Sequence, residues 1–586
     1  MQLSQRFRVP AMFCALAVLI CELISHPFAE MGISDDGPYI LIARTLAATG
    51  HIVYNGWVEP MLAFQIYFSA GLIKLFGFSY SVTRLSSLIT AMVLAFFLQR
   101  ILVRCGVSER NATIATLALV LSPLYLVLSV TFMTDIFGLF GIVICFYGCL
   151  RALQSVSDRA AIAWLSFAVF SNALCGTSRQ IAWLGILVIV PSTLWLLRSR
   201  RRVLFAGVAA TLCGVLFLSA CVQWLKHQPY VIATRLVPIT FPFANPVAEA
   251  AHTIGEFAHT FLDIPFLLLP LFALFLPQIW KSRPPVRIVI SIVSLAYLLL
   301  AIHLRISHAD FLLEPTAGAR GGWVGIHGIH EGTDLPGDPP VLIHTSLQVL
   351  LTVVSIGGLL GFVVSLLFPP TIPATTPIAE TSSATLSWHQ LRILLLPYAI
   401  AYTLLLIPRA TNALYDRYMF GLLFVLLLCL VRLYQEKIDY RIPATGVLLV
   451  AVMAFFGIIL THNTFAFYRA RVVLANELQA AGIPATSMDN GWEYNFDVEV
   501  EHAPSINYPD LVSPAHFYTT APNPPPGPCH AFWYYFTPHV HPLYGASFDP
   551  NVCDGPAPFA PVHYARWPGL AAGTVYAVRY TNATKP

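Results

Sequence analysis

Gly32-Ile33-Ser34-Asp35-Asp36-Gly37-Pro38-Tyr39 follows directly on the first long apolar run of the chain, Pro10 to Phe28. Two adjacent carboxylates need water or partners, whereas the run before them needs lipid or a protein core. Composition decides between the two. Of 586 residues, 57% are hydrophobic and 11% charged, and the mean hydropathy is +0.70. A soluble globular chain is about one quarter charged. The expectation is an all-α polytopic membrane protein in which the Asp-Asp turn sits where the first span meets water. The net charge of +4 is small and dispersed, and no basic-aromatic patch suggests nucleic acid.

Arg6 and Arg8 before the first apolar run mimic a signal peptide, but the run is long and lacks a small-x-small cleavage site, so it reads as a first transmembrane helix. Apolar windows follow at about 80–99, 112–130, 134–150, 161–177, 181–197, 203–222, 264–280, 287–303, 343–368, 391–408, 418–433 and 443–461, giving about thirteen spans in all. A further apolar stretch, 61–76, is placed in the interface rather than across the membrane. Lys and Arg position forces that choice. With the N-terminus in the cytoplasm, the clusters Arg100/Arg104/Arg110, Arg198/Arg200/Arg201/Arg202, Lys281/Arg283/Arg287 and Arg432/Lys437/Arg441 all fall in inside loops. Counting 61–76 as a span would turn all of them outward.

The expected organisation is a membrane body, 1–462, and a small extracytoplasmic C-terminal domain, 463–586. The body has long outer segments at 29–79, 223–263 and 304–342, and a Pro/Thr/Ser-rich cytoplasmic linker at 369–388. Nine of the 11 cysteines lie in or beside apolar spans and read as small hydrophobes. Cys529 and Cys553, in the exported region, form a plausible disulfide.

An Asp-Asp pair before Gly-Pro is often only a helix start, since carboxylates favour that position and Pro suits the first turn. Three further features argue for chemistry. Asp135, in Thr134-Asp135, falls at the outer end of the fourth span, on the side of Asp35 and Asp36. Arg179 occupies a short outer loop where positive charge runs against the inside rule. Arg409 and Tyr415-Asp416-Arg417-Tyr418 lie at the outer start of the twelfth span. Guanidinium groups bind phosphate oxygens in a bidentate manner, although a plain ion pair is about as common a role. Acids and arginines at one face suit transfer of a sugar from a polyprenyl phosphate: arginine neutralises the departing phosphate and a carboxylate deprotonates the acceptor. No Gly-rich nucleotide loop competes with that reading.

Asp35-Asp36-Gly37-Pro38-Tyr39, the stretch Ala43 to His51, Glu59-Pro60, Thr134-Asp135 and Asp416-Arg417-Tyr418 together resemble the bacterial GT-C-fold glycosyltransferases, the class of protein mannosyltransferases, aminoarabinose transferases and Rgt-type enzymes. The resemblance spans about 10–440. It implies that Asp35 or Asp36 is a catalytic base or metal ligand, that Asp135 is a second acid, and that a basic residue near Arg179 contacts the lipid phosphate. It also implies inversion at the sugar carbon. Which of Asp35 and Asp36 is the base stays open, and the other would position a sugar hydroxyl, the acceptor or a divalent ion (Mg or Mn). The implied setting is the bacterial inner membrane, with an envelope lipid, glycan or protein as acceptor.

Tyr39, Tyr54, Trp57, Glu59, Trp323, His327, His330 and Tyr418 are the expected substrate and acceptor contacts. Interface anchoring explains the aromatic ones equally well. His327, His330, Glu331 and Asp334 match no zinc spacing and read as an acceptor-binding or covering loop. The alternative function is a transporter or flippase of lipid-linked sugars, which would place paired charges deep in matching halves of the chain.

Overall fold

The computed structural model describes residues 9–233, 246–307, 312–315, 322–329, 335–368, 385–410, 414–514, 517–520, 527, 529–569 and 571–580. Among these, eight helices are long and apolar enough to cross a bilayer, or ten if two sharply bent pairs each count once. The chain is a multi-pass, mostly helical membrane protein. The remaining windows of the thirteen expected fall on Val9–Ser25, Asp158–Cys175 and Gln180–Leu196, which are shorter or less apolar. Proline accounts for both bends. Glu109–Val120 turns 70° into Pro123–Ser129, and Ala250–Leu267 turns 74° into Leu269–Lys281, which carries Pro270 in its first turn. Proline lacks the N–H that would continue the helical ladder.

The segment 29–79 contains two short helices, Asp36–Thr49 and Ala63–Phe76. At 1.5 Å per residue, the 14 residues of Ala63–Phe76 reach roughly 21 Å, less than the ~30 Å hydrocarbon core. Among the described residues it is the shortest of the three apolar helices below span length, the others being Val9–Ser25 and Gln180–Leu196. Asp36–Thr49 ends at Gly50, whose φ of +79° lets its N–H bond Leu46 O. Part of the segment 223–263, expected as a loop, is helical from Pro246, where apolar residues such as Phe257 and Phe261 recur at helical spacing. In 304–342 the described residues form a small hairpin, β1 (Val324–Gly325) with β2 (Gly328–Ile329).

The last span does not stop at the expected boundary of 462. Ala444–Ala480 is one helix of 37 residues, roughly 55 Å long, so its second half extends well past a bilayer core. Leu474 and Leu478 on that extension pack beneath a sheet of order β3-β4-β6-β5: Met488–Asp489, Tyr544–Ser547, Gly573–Arg579 and Val562–Tyr564. The C-terminal domain is therefore built on the end of a spanning helix rather than tethered by a linker. One further helix, Trp492–His502, lies between this sheet and the Asp35 turn. Cys529 and Cys553 are bonded to each other.

Candidate functional site

Asp35 and Asp36 diverge. Asp36 is fully buried, and its two oxygens accept from Ile33 N at 2.6 Å, Phe132 N at 3.1 Å, and Arg84 Nε and Nη2 at 2.9 and 3.1 Å. Arg84 comes from the first turns of Tyr80–Arg104 and also donates to the carbonyls of Ala29 and Met31. The pair is a buried, bidentate clamp that ties the Asp-Asp turn to a spanning helix. Asp35 starts the helix yet makes no capping bond, so the bland reading of this residue as a cap does not describe it. Its side chain is about one quarter exposed, with Trp57 Nε1 donating to Oδ1 at 3.2 Å and Arg417 Nη2 lying 3.6 Å from Oδ2.

From Asp35 a chain of alternating charge runs inward. Arg417 Nη1 stands 3.6 Å from Asp135 Oδ2, and Asp135 Oδ1 pairs with Arg179 Nη1, which also donates to Thr134 Oγ1 at 2.9 Å. Each group is fixed by its own element. Asp135 opens the helix Asp135–Leu153, and Gly138, one turn on, leaves room for the Arg179 stem: a Cβ there would lie 2.7 Å from Arg179 Cδ. Arg417 sits in the short turn Asp416–Met419 ahead of the spanning helix Phe420–Lys437. Asp416 points away from the chain of charges and caps the hairpin, accepting from Trp323 N and Val324 N at 2.9 and 3.2 Å. Its role is to fix the turn that presents Arg417.

Aromatic faces surround the guanidinium groups. Arg417 lies 4.9 Å from the Tyr415 ring centroid, 5.3 Å from Trp323 and 5.6 Å from Tyr418, and Arg179 lies 4.9 Å from Tyr418. Tyr39 faces the same group of charges; burial first, then the charge of Asp35, push its phenol well above the usual range, so it stays a neutral hydroxyl. A pocket of about 10 Å³, room for roughly one water, is lined by Asp135, Arg179, Tyr402 and Arg417 together with Leu139, Ile142 and Phe420. An apolar groove of about 620 Å³ opens on the spanning helix Phe420–Lys437, lined by Leu422, Val425 and Leu426 and by Phe261, Pro265 and Phe362 of its neighbours. Leu422 is five residues from Arg417, on the order of 7–8 Å along a helix. A lipid phosphate at the arginines would thus have an apolar channel for its tail close by.

The other expected contacts divide. Trp57, Tyr418 and Trp323 are at the site, although Trp323 is buried beneath Arg417. Tyr54 is buried within the first loop and donates to Met61 O at 2.7 Å, which leaves it no face for a substrate. Glu59 is half-buried in the same loop, and His327 occupies the turn of the hairpin. His330 and the side chain of Arg409 lie outside the described residues. Asp35 and Asp36 do not make a chelating pair, because Asp36 is saturated, and no group of three or more His, Cys, Asp or Glu side chains among the described residues could hold a metal. The sequence reading missed Arg84. Its signal was a cation inside an apolar window, which is rare unless paired.

Residues 59–227 match the family described as dolichyl-phosphate-mannose-protein mannosyltransferase. That segment contains Arg84, Asp135 and Arg179. No curated protein matches the chain. Among solved structures, the chain is similar to ArnT from Cupriavidus metallidurans bound to undecaprenyl phosphate, with 15% identity, 82% of this chain and 83% of that one covered, and a TM-score of 0.36. It is similar to the oligosaccharyltransferase AglB from Archaeoglobus fulgidus at 14% identity over 90% of this chain and 63% of that one, with a TM-score of 0.40. For the arabinosyltransferase EmbB from Mycobacterium smegmatis the values are 16%, 89%, 46% and 0.34. None of these scores reaches 0.5, and none bears on the roles of individual residues. The family match lies within the multi-pass helical body and spans less than a third of the chain.

Proposed function

We propose that this protein transfers a sugar from a polyprenyl-phosphate donor to an envelope acceptor at the extracytoplasmic face of the bacterial inner membrane. The observation that carries the reading is the line Asp35–Arg417–Asp135–Arg179, which begins at a partly open carboxylate and whose Arg417 stands five residues from Leu422 of an apolar groove. Asp35 takes the proton from the acceptor hydroxyl or amine as that atom bonds the anomeric carbon. The bond from that carbon to the phosphate oxygen breaks, and Arg417 and Arg179 receive the charge of the departing phosphate. Attack opposite the leaving phosphate inverts the carbon. Asp135 holds both arginines in place. No step requires a metal, and Asp36 acts only through the shape of the turn.

The test is transfer from radiolabelled polyprenyl-phosphate sugars, by purified protein in lipid nanodiscs, to an extract of envelope acceptors. Label is expected in a product with wild type and not with Asp35→Asn. Label remaining on the donor with wild type, across a panel of sugars and with divalent metal supplied, would overturn the reading in favour of a flippase.

A further inference from the structure

The turn that carries Asp35 is held from outside the membrane body. Ser34, the preceding residue, has φ +55°, a left-handed conformation that costs a non-glycine residue on the order of 1 kcal/mol. Such a turn persists when its surroundings determine it. Glu493, in the first turn of Trp492–His502, is buried, and its Oε1 accepts the Ser34 N–H at 3.0 Å. The same carboxylate accepts from Tyr468 Oη at 2.5 Å and from Arg471 Nη2 at 3.0 Å, so its own position is fixed by the long helix beneath the C-terminal domain. The contact is close: a Cβ on Gly32 would lie 2.9 Å from Gly37 Cα and 3.4 Å from Glu493 Cβ.

The carboxylate end of Asp35 is held from the same side. Trp57, the donor to Asp35 Oδ1, has its ring centroid 4.9 Å from Trp492, 5.6 Å from Trp533, 5.7 Å from Phe536 and 6.0 Å from Tyr508. All four neighbours belong to the C-terminal domain. With Oδ1 occupied, Oδ2 faces Arg417.

We infer that the C-terminal domain is the positioning device for Asp35: Glu493 sets its backbone, and the aromatic nest around Trp57 sets its carboxylate. The inference rests on the reading of Asp35 as the base. Catalytic groups need placement within about 0.5 Å, and a left-handed turn at a membrane edge does not supply that alone. Glu493 and Trp57 are positioning residues, since neither needs to touch the sugar.

The test uses full-length protein in nanodiscs and two readouts. Hydrogen exchange at the Ser34 amide is expected to be slow in wild type and in Glu493→Gln, whose amide oxygen still accepts, and at least about tenfold faster in Glu493→Ala. Should Glu493→Ala fail to fold because Arg471 is stranded, Glu493→Ala with Arg471→Leu removes both buried charges. In the transfer assay, Trp57→Phe keeps a ring in the nest but loses the donor; kcat should fall roughly tenfold with the donor KM within about twofold, the signature of misplacement rather than lost binding. Unchanged Ser34 exchange in the alanine variants would overturn the inference, as would an unchanged kcat in Trp57→Phe. If wild type transfers no sugar while Ser34 exchange responds as expected, the assignment of Asp35 as base has failed and the hold on the turn stands.

Discussion

Asp35 and Asp36 are one peptide bond apart and live in different parts of the molecule. Asp36 looks inward, where every lone pair it can use is met by Arg84 or a backbone N–H. Asp35 looks toward Arg417, with a single hydrogen bond and that arginine at the longer distance of 3.6 Å. Saturation makes a good clamp and a poor base, because a proton arriving at Asp36 would break its pairing with a buried cation. Incomplete satisfaction leaves Asp35 able to accept a proton. The contrast separates the proposed base from an anchor within one dipeptide.

The largest effects should divide along that line. Asp35→Asn is expected to lower transfer by about 10²–10⁴-fold, the usual contribution of a positioned general base, while purified yield and thermal stability stay near wild type. Arg84→Ala attacks the other half. It strands Asp36 in a buried site, for which about 3–5 kcal/mol of destabilisation is typical, and should appear first as loss of folded protein. A stable Arg84→Ala protein with normal activity would show that the clamp is dispensable. An Asp35→Asn protein with full activity would move the base elsewhere.

Between these extremes lies the phosphate. Replacing Arg417 with Lys retains the charge but loses the planar fork and its stacking on Tyr415 and Trp323. Binding of undecaprenyl phosphate, measured by native mass spectrometry in lipid, should weaken about tenfold or more, in line with loss of a charge-assisted hydrogen bond. Equal weakening in Asp35→Asn would blur the proposed division between base and phosphate holder.

The sequence showed the membrane class and the convergence of Asp35, Asp135, Arg179 and Arg417, because each of these is a charge in a place where charge is costly. It could not rank Asp35 against Asp36. That ranking depends on Arg84, 48 residues away, and on the Phe132 amide, 96 residues away, and neither separation leaves a periodic trace. Tyr54 and Trp57 illustrate the same limit. Both are aromatic residues in one loop, but only the fold shows that the Tyr54 hydroxyl bonds its own loop while Trp57 meets the C-terminal domain. Glu493 was illegible for a related reason: in a polar tail an acid carries no signal until its burial is seen.

The smallest expected effect tests how firmly the C-terminal domain sits on the Asp36 side of the turn. Asp497, on Trp492–His502, is buried and accepts from the Tyr80 hydroxyl. Burial first, and then the charges of Glu501, Asp36 and Glu493, push its carboxyl up to about 7. The folded protein therefore holds a proton there that the unfolded chain, with a carboxyl near 4, releases. Stability from this group is present at low pH and is lost as pH rises through about 7. Between pH 6 and 8 that amounts to about 1.4 kcal/mol, roughly a tenfold change in the population of undocked domain. Proteolytic release of the domain should accordingly be slower at pH 6 than at pH 8, and Asp497→Asn, which cannot ionise, should flatten the difference. A pH dependence that survives the substitution would assign it to another group and leave Asp497 an ordinary buried contact. Its loss would show that the domain's seat on the turn weakens with alkalinity through Asp497.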